Sequence, residues 1–113
     1  MTKRRRLRGT DVFAAIGDPT RRKVLDMLSR RPLPAGQIAA QFRVSRPAIS
    51  QHLHVLRRAR LVAAQRCGRE QIYRLSAEPL QDVHDWLEHY RQFWSAKIGA
   101  LGEYLDRISG GDE

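Results

Sequence analysis

Between Gln37 and Arg58 two amphipathic segments are separated by only three residues, Arg43-Val44-Ser45, and so short a connection leaves few ways to pack them. The first segment runs through Gln37 to Phe42 and presents Ile38, Ala39 and Phe42 on one side. The second opens at Ser45, whose hydroxyl can cap a helix, and Pro47 follows in the first turn, where its missing N–H costs nothing. This pattern predicts a helix-turn-helix over about residues 36–58. Advancing about 100° per residue from a core stripe of Ile49, Leu53 and Leu56 puts Pro47, Gln51, His54 and Arg58 on the far side of the second helix. Ser50 and Arg57 flank them, and His52 falls at the core edge.

The flanking segments read as parts of the same fold. Val12, Phe13 and Ile16 predict a short helix from Asp11 to Ile16, ended by Gly17. Asp18-Pro19-Thr20-Arg21 is a cap with proline in the first turn of a second helix reaching about Ser29. Val24, Leu25 and Leu28 make its buried stripe, and Arg21, Arg22, Lys23 and Asp26 are left to solvent. Pro32 and Pro34 break the chain before the next helix. Downstream, Leu61 to Arg66 and Gln71 to Leu75 read as two strands around Cys67-Gly68-Arg69-Glu70. An isolated hairpin is marginal in water, so this one must lie on the helices through Leu61, Ile72, Tyr73 or Leu75.

From Leu80 to Ile108 the apolar positions Leu80, Val83, Leu87, Tyr90, Trp94, Ile98, Leu101, Leu105 and Ile108 keep helical spacing with one stutter. Trp86, Phe93, Ala100 and Tyr104 widen that stripe. One helix of this length would span about 43 Å, against a diameter of about 26 Å for a compact chain of this size. Part of it must then project or pair with another chain, and Gly99 and Gly102 are where a kink or a close helix contact is expected. The fold class expected is α+β, mostly α: a winged helix-turn-helix with a two-stranded wing over about residues 61–75 and a long C-terminal helix over about 79–108. The whole domain covers 10–109, between a basic tail at 1–9 and a short tail at 110–113.

Charge indicates what such a fold would meet. Residues 1–10 carry +5, residues 11–75 carry +9 and residues 76–113 carry −5, against a net charge of +9. A chain so divided points one end at a polyanion, and phosphate backbones and anionic lipid surfaces both qualify. With 42% apolar and 29% charged residues the composition is that of a folded chain, and 113 residues suffice for one domain. No apolar run reaches the roughly 18 residues of a membrane span. Met1 to Gly9 is charged with no apolar stretch behind it, so a secretory signal is not expected and a cytoplasmic location is.

On the outer side of the Ser45-capped helix, Ser50, Gln51 and His54 offer the hydroxyl, amide and imidazole groups that read donor and acceptor patterns in a major groove, with Pro47 beside them and Arg57 and Arg58 adding guanidinium groups. Arg43 and Arg46, near the helix start with Ser45, are placed for phosphates. Arg66 and Arg69 flank Gly68 at the hairpin tip and could reach a neighbouring minor groove or its backbone. Double-stranded DNA is therefore the expected partner. No paired carboxylates, nucleophile–base set or phosphate-cradling glycine loop is present, so an enzyme is not expected.

The string Ser45-Arg46-Pro47-Ala48-Ile49-Ser50-Gln51-His52-Leu53-His54-Val55-Leu56, followed by Ala59-Arg60-Leu61-Val62, resembles the recognition-helix signature of ArsR/SmtB-type winged-helix repressors. Gly17-Asp18-Pro19-Thr20-Arg21-Arg22 resembles the same family, and the match extends through the wing to cover roughly residues 10 to 108. The resemblance implies a homodimeric repressor whose first and last helices form the dimer interface, through Phe13, Leu87, Tyr90, Trp94, Ile98, Leu101 and Leu105. It also implies that the fourth helix of each subunit enters successive major grooves of a near-palindromic operator.

Many members of that family sense metals. The thiolate type places a Cys-x-Cys pair in the third helix, where this chain has Gln37-Ile38-Ala39-Ala40-Gln41-Phe42. The carboxylate–histidine type on the last helix begins Asp-x-His, which Asp82-Val83-His84 matches, but Ser95 and Ile98 stand where the remaining ligands would be. Glu88 and His89 lie nearby, yet two matches do not make a four-ligand site. No metal and no cofactor are expected. The Trp- and Tyr-rich last helix resembles the metal-independent branch, in which no effector is evident. A metal-sensing repressor and a non-specific architectural binder relying on Arg4, Arg5 and Arg6 remain the alternatives. Cys67, the one cysteine, excludes an internal disulfide. Between Arg66 and Arg69 it reads either as a thiol switch or as a bystander on the surface.

Overall fold

The structure is a computed structural model that describes residues 12–111, with side chains described everywhere except at 97–100 and 109–111. The basic tail at residues 1–9 lies outside the described residues, as do Asp11 and the side chain of Ile98. In chain order the elements are α1 (Val12–Ala15), α2 (Pro19–Leu28), β1 (Leu33–Pro34), α3 (Ala35–Ala39), α4 (Arg46–Arg58), β2 (Val62–Cys67), β3 (Glu70–Leu75), α5 (Leu80–Glu88) and α6 (Arg91–Gly111).

The caps fall where the sequence puts them. Asp18 is extended, and its Oδ2 accepts the Arg21 N–H at 3.0 Å to start α2. Ser45 is likewise extended, and its Oγ accepts the Ala48 N–H at 3.2 Å to start α4. At the far end of α4 the Arg60 N–H bonds the Arg57 carbonyl at 2.9 Å and the Leu61 N–H bonds the Leu56 carbonyl at 3.0 Å. That pair of bonds is a Schellman motif, and the fully buried Leu56 and Leu61 supply the apolar contact that goes with it. Its left-handed residue is Arg60, at φ 64°, where a glycine would be free of strain.

α3 begins and ends earlier than the expected Gln37 to Phe42. Pro34, at φ −72° and ψ 152°, lets the helix start at Ala35, and the Gln41 and Phe42 N–H groups fall back to i−3 carbonyls in a turn. Beyond the expected hairpin, the sheet gains a third strand, in the order β1-β3-β2, antiparallel throughout. β1 is two residues long and contains a proline, which only an edge strand tolerates. Val62 stands opposite Leu75, and Ala64 opposite Tyr73, which Leu33 meets from the other side. This is the face that meets the helices: Leu61, Val62 and Tyr73 are buried and Ala64 and Leu75 pack against them.

The described chain divides into two compact units that part between Val83 and His84. In the first, α1 to α4 and the sheet enclose one apolar core, in which Val24, Ile38, Ile49, Leu56 and Leu61 are almost fully inaccessible. Among the described residues no polar or charged residue is buried. Leu80 and Val83 pack against this core from the start of α5.

The expected continuous helix over about 79–108 is instead two helices, α5 and α6, separated at His89 and Tyr90. Around the break the N–H groups of His89, Tyr90 and Phe93 bond the carbonyls of Trp86, Leu87 and Tyr90, tightening the chain to i−3 spacing. The rings of Trp86 and Tyr90 meet edge to face at 5.4 Å, and those of Tyr90 and Phe93 lie 6.2 Å apart, so an aromatic cluster occupies the break. Gly99 and Gly102, where a kink or a close helix contact is expected from sequence, lie within the uninterrupted α6, so the kink is not there.

Candidate nucleic-acid interface

α4 buries Ile49, Leu53 and Leu56 and leaves Arg46, Pro47, Ser50, Gln51, His54, Arg57 and Arg58 exposed. The three apolar side chains turn one broad side of the helix to the core, and the polar ones inherit the opposite side. Arg43 and Ser45 are exposed just ahead of it. The first turn of α4 holds no acidic residue, so the partial positive charge of its N-terminus is not cancelled locally. Phosphate is the ligand such an end suits, with Arg43 and Arg46 beside it.

The hairpin contributes a second cationic point. Gly68 and Arg69 form a two-residue turn in which only the glycine has positive φ, at 64°, as a type II′ turn requires. Cys67 pairs with Glu70 at the last rung and Arg66 with Gln71 at the next, so Arg66 and Arg69 stand exposed at the tip. Across the strands Arg74 donates to Gln65 Oε1 at 3.1 Å, which stiffens the hairpin below them. Cys67 is a free, exposed thiol.

Residues 27–69 hold no Asp or Glu. Among the described residues none of Arg43, Arg46, Arg57, Arg58, Arg66 and Arg69 has an ion-pair partner. Guanidinium groups left without carboxylates over so long a stretch are available to an external polyanion, and they cluster at the two ends of α4 and at the hairpin tip. All eleven residues proposed from sequence for DNA contact are exposed in this arrangement.

One pair of residues departs from the sequence reading. Arg21, expected to remain in solvent, is half-buried: its Nε donates to the Ala15 carbonyl at 2.7 Å and its Nη2 to the Ala14 carbonyl at 3.3 Å. Its Nη1 reaches Nδ1 of His52 on α4 at 3.1 Å. The partner lies 31 positions away in sequence, so no local pattern signals the contact.

In the second unit, His84 Nδ1 lies 3.4 Å from Asp85 Oδ1 and its Nε2 3.4 Å from Glu88 Oε2. Among the described residues no group of three or more His, Cys, Asp or Glu is placed to hold a metal ion. No described helix is long and apolar enough to cross a membrane.

Residues 18–64, which include α2 to α4, match the model of the bacterial regulatory protein arsR family. The chain is 42% identical over 80 residues to the transcriptional repressor SdpR of Bacillus subtilis (strain 168), covering 71% of this chain and 89% of that protein. It is 36% identical over 101 residues to the HTH-type transcriptional regulator Rv2034 of Mycobacterium tuberculosis, covering 89% of this chain and 90% of that protein. The crystal structure of an ArsR-family transcriptional regulator superposes with a TM-score of 0.66 at 32% identity, over 74% of this chain and 91% of that one. With relatives at this level of identity along most of their length, and a winged helix-turn-helix that exposes unpaired guanidinium groups, the chain belongs to the arsR family of bacterial regulatory proteins and is a DNA-binding transcriptional regulator, not an enzyme.

Proposed function

We propose that the chain acts as a homodimeric repressor of a near-palindromic operator, with α4 of each subunit in successive major grooves and the hairpin tip on the adjoining minor groove or backbone. The observation that carries this reading is the outer face of α4, where Ser50, Gln51 and His54 are exposed between arginines that no carboxylate neutralises. Ser50, Gln51 and His54 supply base-edge contacts with the Arg57 and Arg58 guanidinium groups beside them, while Arg43, Ser45 and Arg46 hold phosphates and Pro47 packs against the groove wall. Arg66 and Arg69 add contacts from the tip.

The dimer rests on exposed apolar surface. Trp86, Leu87, Tyr90, Phe93, Trp94, Leu101, Tyr104, Leu105 and Ile108 are each 37% or more exposed, and Phe13 of α1 is 41% exposed. A stable monomer rarely leaves so much large apolar surface on one short segment in water. A second copy covers it in this reading, through Phe13, Leu87, Tyr90, Trp94, Leu101 and Leu105, with Ile98 as an interface position expected from sequence. Two copies related by a two-fold axis would present their α4 helices about 34 Å apart, one turn of the duplex.

Selection of bound fragments from a random duplex pool at fixed salt tests the reading. Enrichment of inverted half-sites about 10 base pairs apart, centre to centre, is the expected result. A pool that emerges no different from its input, with binding that depends on salt alone, would sink it.

A further inference from the structure

A polar cluster at the corner of α1, α2 and α4 lies outside the DNA-facing surface. Arg21 is its centre. The guanidinium closes the C-terminal carbonyls of α1, at Ala14 and Ala15, and extends a third bond to Nδ1 of His52 at 3.1 Å. Asp18 stands next to both: its Oδ2 accepts the Arg21 N–H at 3.0 Å and lies 3.9 Å from the same His52 nitrogen. Arg22 ties the corner again by donating to the Ile16 carbonyl at 2.8 Å. Three elements meet here through directional bonds, whereas Ile49, Leu53 and Leu56 hold α4 by apolar contact, which sets its depth more firmly than its rotation.

We infer that Arg21 and His52 are positioning residues for base reading, locking the rotation of α4 so that the neighbouring Gln51 and His54 face the groove. The inference rests on the reading that α4 enters the groove. Arginine only donates, so in this contact His52 accepts through the lone pair of Nδ1. Protonation turns that acceptor into a donor and sets an imidazolium against a guanidinium that stays charged. The nearest acceptor is then Asp18, so the bond to Arg21 is exchanged for one to Asp18. Asp18 and Arg21 are the charged groups that face His52 from α2 and its cap, and α1 carries no charged side chain. Acid therefore loosens the lock and lowers discrimination between sequences. It does not lower attraction to phosphate, because the added charge is positive.

The measurement is the ratio of affinities for a selected operator and for random duplex, at fixed salt, from pH 8 to pH 5.5. In His52→Asn the side-chain oxygen takes the place of Nδ1 as acceptor and cannot be protonated, so the ratio stays near the wild-type value at pH 8. In His52→Ala the ratio falls about tenfold at pH 8 while random-duplex affinity holds, and the melting midpoint drops by no more than the loss of one charge-assisted bond accounts for. Arg21→Lys, which keeps the charge but not the fork of donors, falls with it. On acidification the wild-type ratio drops further than that of His52→Asn. Equal ratios for His52→Ala and His52→Asn at every pH would overturn the inference. A wild-type chain with no sequence preference would overturn the reading of α4 itself, and the inference with it.

Discussion

Gln51 and Arg69 are both exposed, yet they are expected to act on different parts of a duplex. An amide on the groove side of α4 discriminates between bases, so Gln51→Ala should cost about 1–3 kcal/mol on the preferred operator and relax the preference there. A guanidinium at the hairpin tip meets backbone, so Arg69→Ala should weaken all duplexes nearly alike and flatten the salt dependence by about one unit of slope. Titrations of both variants against matched and mismatched duplexes separate the two roles, and equal loss on every duplex for Gln51→Ala would contradict its assignment. Arg60 offers a test of the fold alone. A left-handed conformation costs an L residue about 1–2 kcal/mol, and the extra freedom of glycine in the unfolded chain takes back about 0.5–1. Arg60→Gly should therefore raise stability by about 0.5–1 kcal/mol in urea denaturation with the Schellman bonds intact.

α2 and α4 are the elements that carry the proposed reading surface and its support, and each fails in its own way. Leu56 is fully buried on α4 and also anchors the turn that follows through Leu61, so Leu56→Ala should cost about 2–5 kcal/mol, read as a drop in thermal midpoint. At the start of α2 the backbone N–H of Arg21 holds the Asp18 carboxyl below the usual carboxylate range, with lesser help from His52, the Arg21 charge and Thr20 against the opposing effect of burial. Because the folded value is depressed, this stabilisation is complete above the unfolded carboxylate value near 4 and is lost as pH falls through the folded one. Asp18→Asn keeps a capping oxygen without the charge and should unfold less steeply than the wild type between about pH 4 and pH 2.

The bounds of α2 and α4 are legible in sequence because Asp18-Pro19 and Ser45-x-Pro47 leave a helix only one place to begin. The two-residue β1 is not legible, since Leu33-Pro34 reads as a breaker and pairs only because β3 is already there to receive it. Nor is the break at His89 and Tyr90, where apolar spacing continues and neither glycine nor proline marks the change. The exposed side of α4 follows directly from its buried stripe, whereas the Arg21–His52 bond joins distant segments and emerges only once α2 and α4 are folded together.

For the molecule as a whole, the division of charge separates two tasks. The basic surplus lies in the first two thirds of the sequence, and the acidic surplus lies in the last third, where the exposed aromatic residues other than Phe13 are. In the proposed dimer the acidic third supplies the interface and the first unit supplies the cationic side chains. Trp94→Ala should then shift the dimer toward monomer in sedimentation velocity and lower operator affinity steeply, because each half-site alone binds weakly. An unchanged sedimentation coefficient would count against the proposed interface.

Among the described residues the core of the first unit is apolar throughout, and the outward side chains in the middle of α4 take no part in it. Exchange of Ser50, Gln51 or His54 for other polar groups therefore leaves the apolar core intact. New control elements become reachable by steps that leave the scaffold untouched, so duplicated copies in one cell can drift to separate genes while remaining nearly superimposable.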